Sequence, residues 1–250
     1  MPTITVLRLI VAGCCLAAPL NAVEAPSGAA VVLELFTSEG CSSCPAAEAA
    51  LATLRREAET GHRQLYALLF PVDYWDRLGW QDPYAQHAFT ERQEAYAQRL
   101  GLAQLFTPQA IVNGAVSLVG SDLGGLHRAI AVASARPSRV TVTQTAQWRG
   151  DGVHVAIHLE GAPPTARVLV ALSESGLRSA IQVGENAGRT EVHADVVRDW
   201  TTVQAADAGL AEVRLVPPAG AVRRNLALTV VAQDEATWAV LGAARGRIAE

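Results

Sequence analysis

The residues best suited to chemistry stand in SEGCSSCPAAE (38–48). Cys41 and Cys44 are spaced C-x-x-C, which lets two thiols close a small ring, hold a metal ion, or exchange electrons with another dithiol. Closing so short a ring removes little unfolded-chain entropy, so the pair would be a poor staple. Zinc asks for four ligands and one C-x-x-C supplies two. Histidine would have to provide the rest. His154 and His158 share a strand face but stand four residues apart, roughly 13 Å, and His62, His87 and His127 have no partner at ligand spacing. No metal ligand set is therefore expected, and the redox reading leads. Cys41 is the expected attacking sulfur, Cys44 the resolving one, and Cys41–Cys44 the disulfide of the oxidised form. Ser42, Ser43 and Pro45 frame the pair, with Pro45 suited to a first helical turn. Glu39 opposes thiolate formation, whereas the end of a following helix favours it.

These residues need elements to hold them. VVLELF (31–36) reads as a buried strand, PAAEAALATLRREAE (45–59) as a helix, and QLYALLFPVDYW (64–75) as a second strand. Asp82-Pro83 gives an N-cap and a first-position proline, predicting a helix from there toward Leu100, with Gly101 as its stop. Two short strands, 109–113 and 116–119, flank the hairpin signal Asn113-Gly114, and 123–135 closes as a helix. The order β-α-β-α-β-β-α is the thioredoxin layout, an α/β sheet covered on both faces. In that layout Thr107-Pro108, just before the hairpin, is expected as a cis peptide facing the cysteines, so Thr107 and Pro108 are expected to shape a substrate-binding edge. PVDYWDRLGWQDPY (71–84), with Tyr74, Trp75, Trp80 and Tyr84, is either a packed loop over the sheet end or an aromatic wall of a substrate groove, in which Tyr74 and Trp75 are the expected substrate-binding residues. Asp73 or Asp76 would there serve as a buried base for the resolving thiol.

After Arg136-Pro137 the pattern changes to period two. VTVTQTAQW (140–148) and VHVAIHLE (153–160) alternate around Asp151-Gly152, and 167–173, 212–216 and 225–233 are further strands. This predicts a thioredoxin-like α/β domain over 28–137 followed by an all-β, sandwich-like domain over 138–250.

Composition limits function. The net charge is −4 with no basic cluster, which gives no electrostatic case for nucleic acid. All 20 basic residues are arginine, which removes Schiff-base lysines, Ser–Lys dyads and Walker-type phosphate binding. No HExxH, GxSxG, GxGxxG or P-loop occurs, and no cofactor is expected. Residues 1–25 read as an export signal: Arg8, an apolar run from Leu9 to Leu20, then small residues. Cys14 and Cys15 would leave with it. The expected mature chain is secreted or periplasmic, has no membrane span, and carries two cysteines in a compartment where disulfides persist.

VLELFTSEGCSSCPAAE, VDYWDRLGWQDPYAQHAFTERQEAY, TPQAIVNG and GENAGRTEVHADVVRDW together resemble the secreted bacterial family known as domain of unknown function 1223, over about 30 to 240. The resemblance implies a thioredoxin-like domain and leaves the reaction open. In that family His is common where Pro71 stands, and Gln and Pro where Glu39 and Ala46 stand. The resemblance also includes Glu185, Asn186, Arg189 and His193, which it marks as residues that face the first domain or a partner. The expected function is thiol–disulfide exchange on protein thiols or disulfides of the cell envelope. The alternatives are an envelope protein binding copper through two thiolates and one His, and a non-enzymatic adaptor with a structural disulfide.

Overall fold

A computed structural model describes residues 29–205 and 212–250. The export segment expected at 1–25 lies outside the described residues. The first half contains β1 (Val31–Thr37), α1 (Cys44–Thr60), β2 (Leu65–Pro71), α2 (His87–Leu100), β3 (Gln109–Val112), β4 (Val116–Val119) and α3 (Leu123–Ser134). This is the expected β-α-β-α-β-β-α order. The second half is built of strands, with one 3-10 turn at Arg223–Asn225: β5 (Thr141–Arg149), β6 (Gly152–Glu160), β7 (Arg167–Glu174), β8 (Leu177–Ala180), β9 (Thr190–His193), β10 (Val196–Gln204), β11 (Glu212–Leu215), β12 (Leu226–Gln233) and β13 (Val240–Gly246).

The helix limits follow from local chemistry. Ser43 stands at the N-cap position of α1 without a side-chain capping bond, Pro45 lies in the first turn, and Asp122 caps α3 by accepting from the Gly125 N–H. Gly101 ends α2 in the left-handed region, as expected. The start of α2 differs from expectation. Asp82 does not cap it, because its carboxylate accepts from the backbone N–H groups of Glu39 and Tyr84. The helix begins only at His87.

Eight strands form one mixed sheet in the order β13-β12-β7-β10-β2-β1-β3-β4. β1 and β2 pair in parallel, from Val31 opposite Leu65 to Thr37 opposite Pro71, and β3 lies antiparallel on the other side of β1. Strands from both sides of residue 137 thus share a sheet, joined where Val196 of β10 pairs in parallel with Leu69 of β2. A second sheet, β11-β6-β5, stacks on the C-terminal part of the large one, and β8 and β9 form a separate hairpin.

Alternation along the strands sorts the core into three clusters. Leu33 and Leu35 of β1 meet Leu51 and Leu54 of α1 and Leu126 and Ile130 of α3. Val32 and Phe36 point to the opposite face, against Phe89 and Tyr96 of α2. That second cluster also takes Leu169 and Ala171 from β7, Val231 from β12 and Trp238, so it crosses the boundary at 137. The third cluster fills the space between the two sheets, with Val168, Val170 and Leu172 facing Trp148, Val153 and Val155. The expected sandwich has, as its second layer, the continuation of the first half's sheet.

Among the described residues no helix is long and apolar enough to cross a membrane.

Candidate functional site

The corner between β1 and α1 carries the cysteine pair. β1 delivers the chain to Ser38, a turn in which the Cys41 N–H donates to the Ser38 carbonyl reverses it, and α1 starts at Cys44. Cys41 and Cys44 are joined in a disulfide with Cα atoms 5.4 Å apart. Cys44 lies in the first helical turn, where unpaired N–H groups and the helix dipole favour negative charge on sulfur. Ser42 and Ser43 are exposed, and the Ser43 hydroxyl lies 3.4 Å from the Cys41 Sγ.

Some of the residues expected around the pair lie near this corner. The Thr107–Pro108 peptide is cis. A Cβ on Gly120 would lie 3.0 Å from Cβ of Ala47, in α1, and 3.2 Å from Cβ of Pro108, so Pro108 packs beside the start of that helix. The Trp75 indole N–H donates to the Thr107 hydroxyl (2.7 Å), and a Cβ on Gly40 would meet Cβ of Trp75 at 3.1 Å. Trp75 therefore links the cysteine turn to Thr107. Tyr74 lies behind it, its hydroxyl donating to Gln93. Asp73 is engaged elsewhere: its carboxylate accepts from Thr90 and pairs with His87 at the start of α2. Asp76 accepts from the Asp82 N–H.

Both cysteines are covered, each only 1% exposed. At the Cys41 end of the turn the cover is the tip of the β8–β9 hairpin, residues 181–189. Asn186, itself buried, donates from its amide to the carbonyls of Glu39 (2.8 Å) and Cys41 (2.9 Å). The Glu185 carboxylate accepts from the Ser42 N–H (3.1 Å). Two of the aromatics in 71–84 brace this hairpin: Gly184 comes against Trp80, and the Tyr84 ring meets His193 edge-on at 5.6 Å.

Beneath the tip, His193 lies between two carboxylates. Its Nε2 is 2.9 Å from Glu39 and its Nδ1 2.8 Å from Glu48. Burial alone would lower the imidazole pKa, but hydrogen bonds to Glu39 and Glu48 and their charges raise it to about 10. The ring is therefore an imidazolium at neutral pH, donating from both nitrogens. Burial would raise Glu39, yet hydrogen bonds from His193, Ser179 and Trp80 outweigh it and hold the carboxyl below its ordinary value. The negative charge beside Cys41 thus carries its own counter-ion. Asp82, almost fully buried and close to the Glu39 charge, is pushed up to about 6, chiefly by desolvation.

Of the four residues marked in 184–200, three meet the cysteine turn: Glu185, Asn186 and His193. The Arg189 N–H helps close the hairpin tip on the Asn186 carbonyl. Sequence reasoning missed Glu48 as a member of the site and read Asp82 only as a helix cap. Glu48 had a usable signal, since it stands one helical turn after Cys44 on an otherwise alanine-rich face.

The family model described as "Protein of unknown function (DUF1223)" matches residues 32–233. The chain belongs to this family. The match spans both the cysteine turn and the hairpin that covers it, so the covered corner falls within the DUF1223 region. A crystal structure of an Agrobacterium tumefaciens protein is similar at 28% identity and a TM-score of 0.60, covering 88% of this chain and 95% of that one. HBP35 of Porphyromonas gingivalis is similar in fold at 12% identity and a TM-score of 0.63, covering 90% of this chain and 77% of its own. No curated protein matches.

Proposed function

We propose that this DUF1223 chain is an exported thiol–disulfide oxidoreductase built on a thioredoxin-like unit, acting through Cys41 and Cys44. The observation that carries the reading is the disulfide at a strand-to-helix corner, with one sulfur in the first turn of α1. The neighbourhood of Pro108 and Thr107 supports it.

From the oxidised state, a substrate thiolate attacks the Cys41 Sγ, the Cys41–Cys44 bond breaks, and Cys44 leaves as a thiolate. A second substrate thiolate then attacks the substrate sulfur of the mixed disulfide and expels Cys41. Two electrons pass from the substrate dithiol to the cysteine pair, which ends as two thiols. The same steps in reverse reduce a substrate disulfide, with Cys41 attacking and Cys44 resolving. The substrates are protein thiols or disulfides of the cell envelope, reached through the export segment at 1–25.

In either direction the hairpin tip has to lift from Cys41. Three hydrogen bonds from Glu185 and Asn186 hold it, each worth about 0.5–1.5 kcal/mol net. Substrate binding can offset a cost of that size.

A second reading rests on the same burial: a covered disulfide that only clips the corner of a non-enzymatic adaptor. Copper binding through the two thiolates and a nearby histidine is less favoured, because both ring nitrogens of His193 are taken by Glu39 and Glu48. Trapping separates exchange from clip. In Cys44→Ala, Cys41 has no resolving partner, so mixed disulfides with envelope proteins should accumulate. A Cys44→Ala protein that stays folded yet forms no adduct with reactive disulfides supports the clip.

A further inference from the structure

A groove of about 680 Å³ opens at the other end of β1 from the cysteine turn, between α3, the β3–β4 hairpin and the start of β13. That volume lies within the range of about 300–1,000 Å³ usual for small-molecule sites. The floor and walls are apolar, from Val112, Val116, Leu118, Val132 and Val240 among others. Val116 and Val132 are 43% and 57% exposed, so apolar surface is presented to solvent here. The charged residues lining the groove are all of one sign: Arg128, Arg136 and Arg139, with no Asp or Glu among the lining residues. Arg139 lies near enough to Asp234 to lower that carboxyl's pKa. Arg128 and Arg136 form no ion pair among the described residues.

We propose that this groove binds an anionic amphiphile, a single alkyl chain ending in a carboxylate, with the chain on the apolar floor and the head between Arg128 and Arg136. A guanidinium presents paired donors that match a carboxylate, and each apolar contact removes surface from water. An uncharged chain would gain only the second term, and a hydrophilic anion only the first. The site is independent of the cysteine pair and of the function proposed for it.

The test uses dodecanoate below its critical micelle concentration, titrated into the protein by calorimetry, with 1-dodecanol as the uncharged control. The expected result is saturable binding of one dodecanoate, at least tenfold tighter than the alcohol. Arg128→Glu with Arg136→Glu should weaken dodecanoate at least tenfold and leave the alcohol unchanged. Val116→Trp, at an exposed wall position, should block both while the thermal melt stays as in the wild type. Absence of saturable binding, equal affinity for acid and alcohol, or indifference to charge reversal would overturn the proposal. So would a wild-type dimer that Val116→Trp converts to monomer, since the groove would then be covered by a second copy of the chain.

Discussion

His193 ties its charge to the folded state, and the pH dependence of stability should report this. Its folded pKa, about 10, lies above the ordinary histidine value of about 6.5. Below about pH 6.5 the imidazole is charged in the folded and unfolded chain alike, and its contribution is complete. As pH rises toward about 10 the unfolded chain loses the proton first, and that stabilisation is progressively lost. Urea midpoints measured from pH 6 to 10 should therefore fall more steeply for the wild type than for His193→Gln; parallel curves would contradict the assignment. Asn186 governs access instead. Asn186→Ala removes two hydrogen bonds from the cover, about 1–3 kcal/mol in all. The open population, and with it the rate of disulfide reduction by dithiothreitol, should rise about fivefold or more. At this scale the cysteines were legible because their chemistry is local. The carboxylates around His193 were not, since Glu39, Glu48 and His193 lie up to 154 residues apart and no spacing rule joins them.

Among the elements, α2 is held by a pair of charges that no strand pattern announces. Glu34 of β1 and Arg92 of α2 are both almost fully buried and form two hydrogen bonds, with Tyr96 adding a third to the same carboxylate. The guanidinium lies 5.1–5.6 Å from the ring centroids of Phe70, Tyr96, Trp200 and Trp238. Arg92→Leu should cost about 3–5 kcal/mol in a urea melt, because it leaves the Glu34 charge buried and unpaired. Glu34→Leu in the same chain should recover part of that loss. The β3–β4 turn makes a comparable demand. Gly114 has φ +68°, and a Cβ there would lie 2.0 Å from the Trp238 carbonyl oxygen, so Gly114→Ala should be strongly destabilising in the same melt. Hairpins and helices with strong local signals were readable to within a residue or two. The start of α2 was not, because Asp82 is committed to Glu39 across the fold. The limits of β10 were unreadable for another reason: VVRDWTTVQ is polar at several positions and bulges between Val197 and Asp199, which breaks the period-two pattern.

Across the whole molecule, the change of pattern at residue 137 marks where helices end but does not mark an end of cooperation. The cluster around Phe70 and Tyr96 takes side chains from β1, β2, α2 and β3 and equally from β7, β10 and β12. Removing either half would expose it. Calorimetry should accordingly show one unfolding transition, and residues 29–137 expressed alone should lack the sharp melt of the full chain. Two separate transitions would contradict a shared core. Pairing across the boundary was not legible because β10 meets β2 through a single residue pair, far apart in sequence. The same arrangement places the cover over the cysteines. A hairpin from the second half reaches the cysteine turn of the first, with β10, which follows it, placed beside β2.

The most direct test of the central claim is the reaction of the folded protein with dithiothreitol without denaturant, followed by maleimide labelling and mass measurement. The expected result is two labelled thiols, Cys41 and Cys44, formed while the fold persists, and formed faster in Asn186→Ala. A disulfide that reacts only once the chain unfolds, at the same rate with or without Asn186, would contradict it.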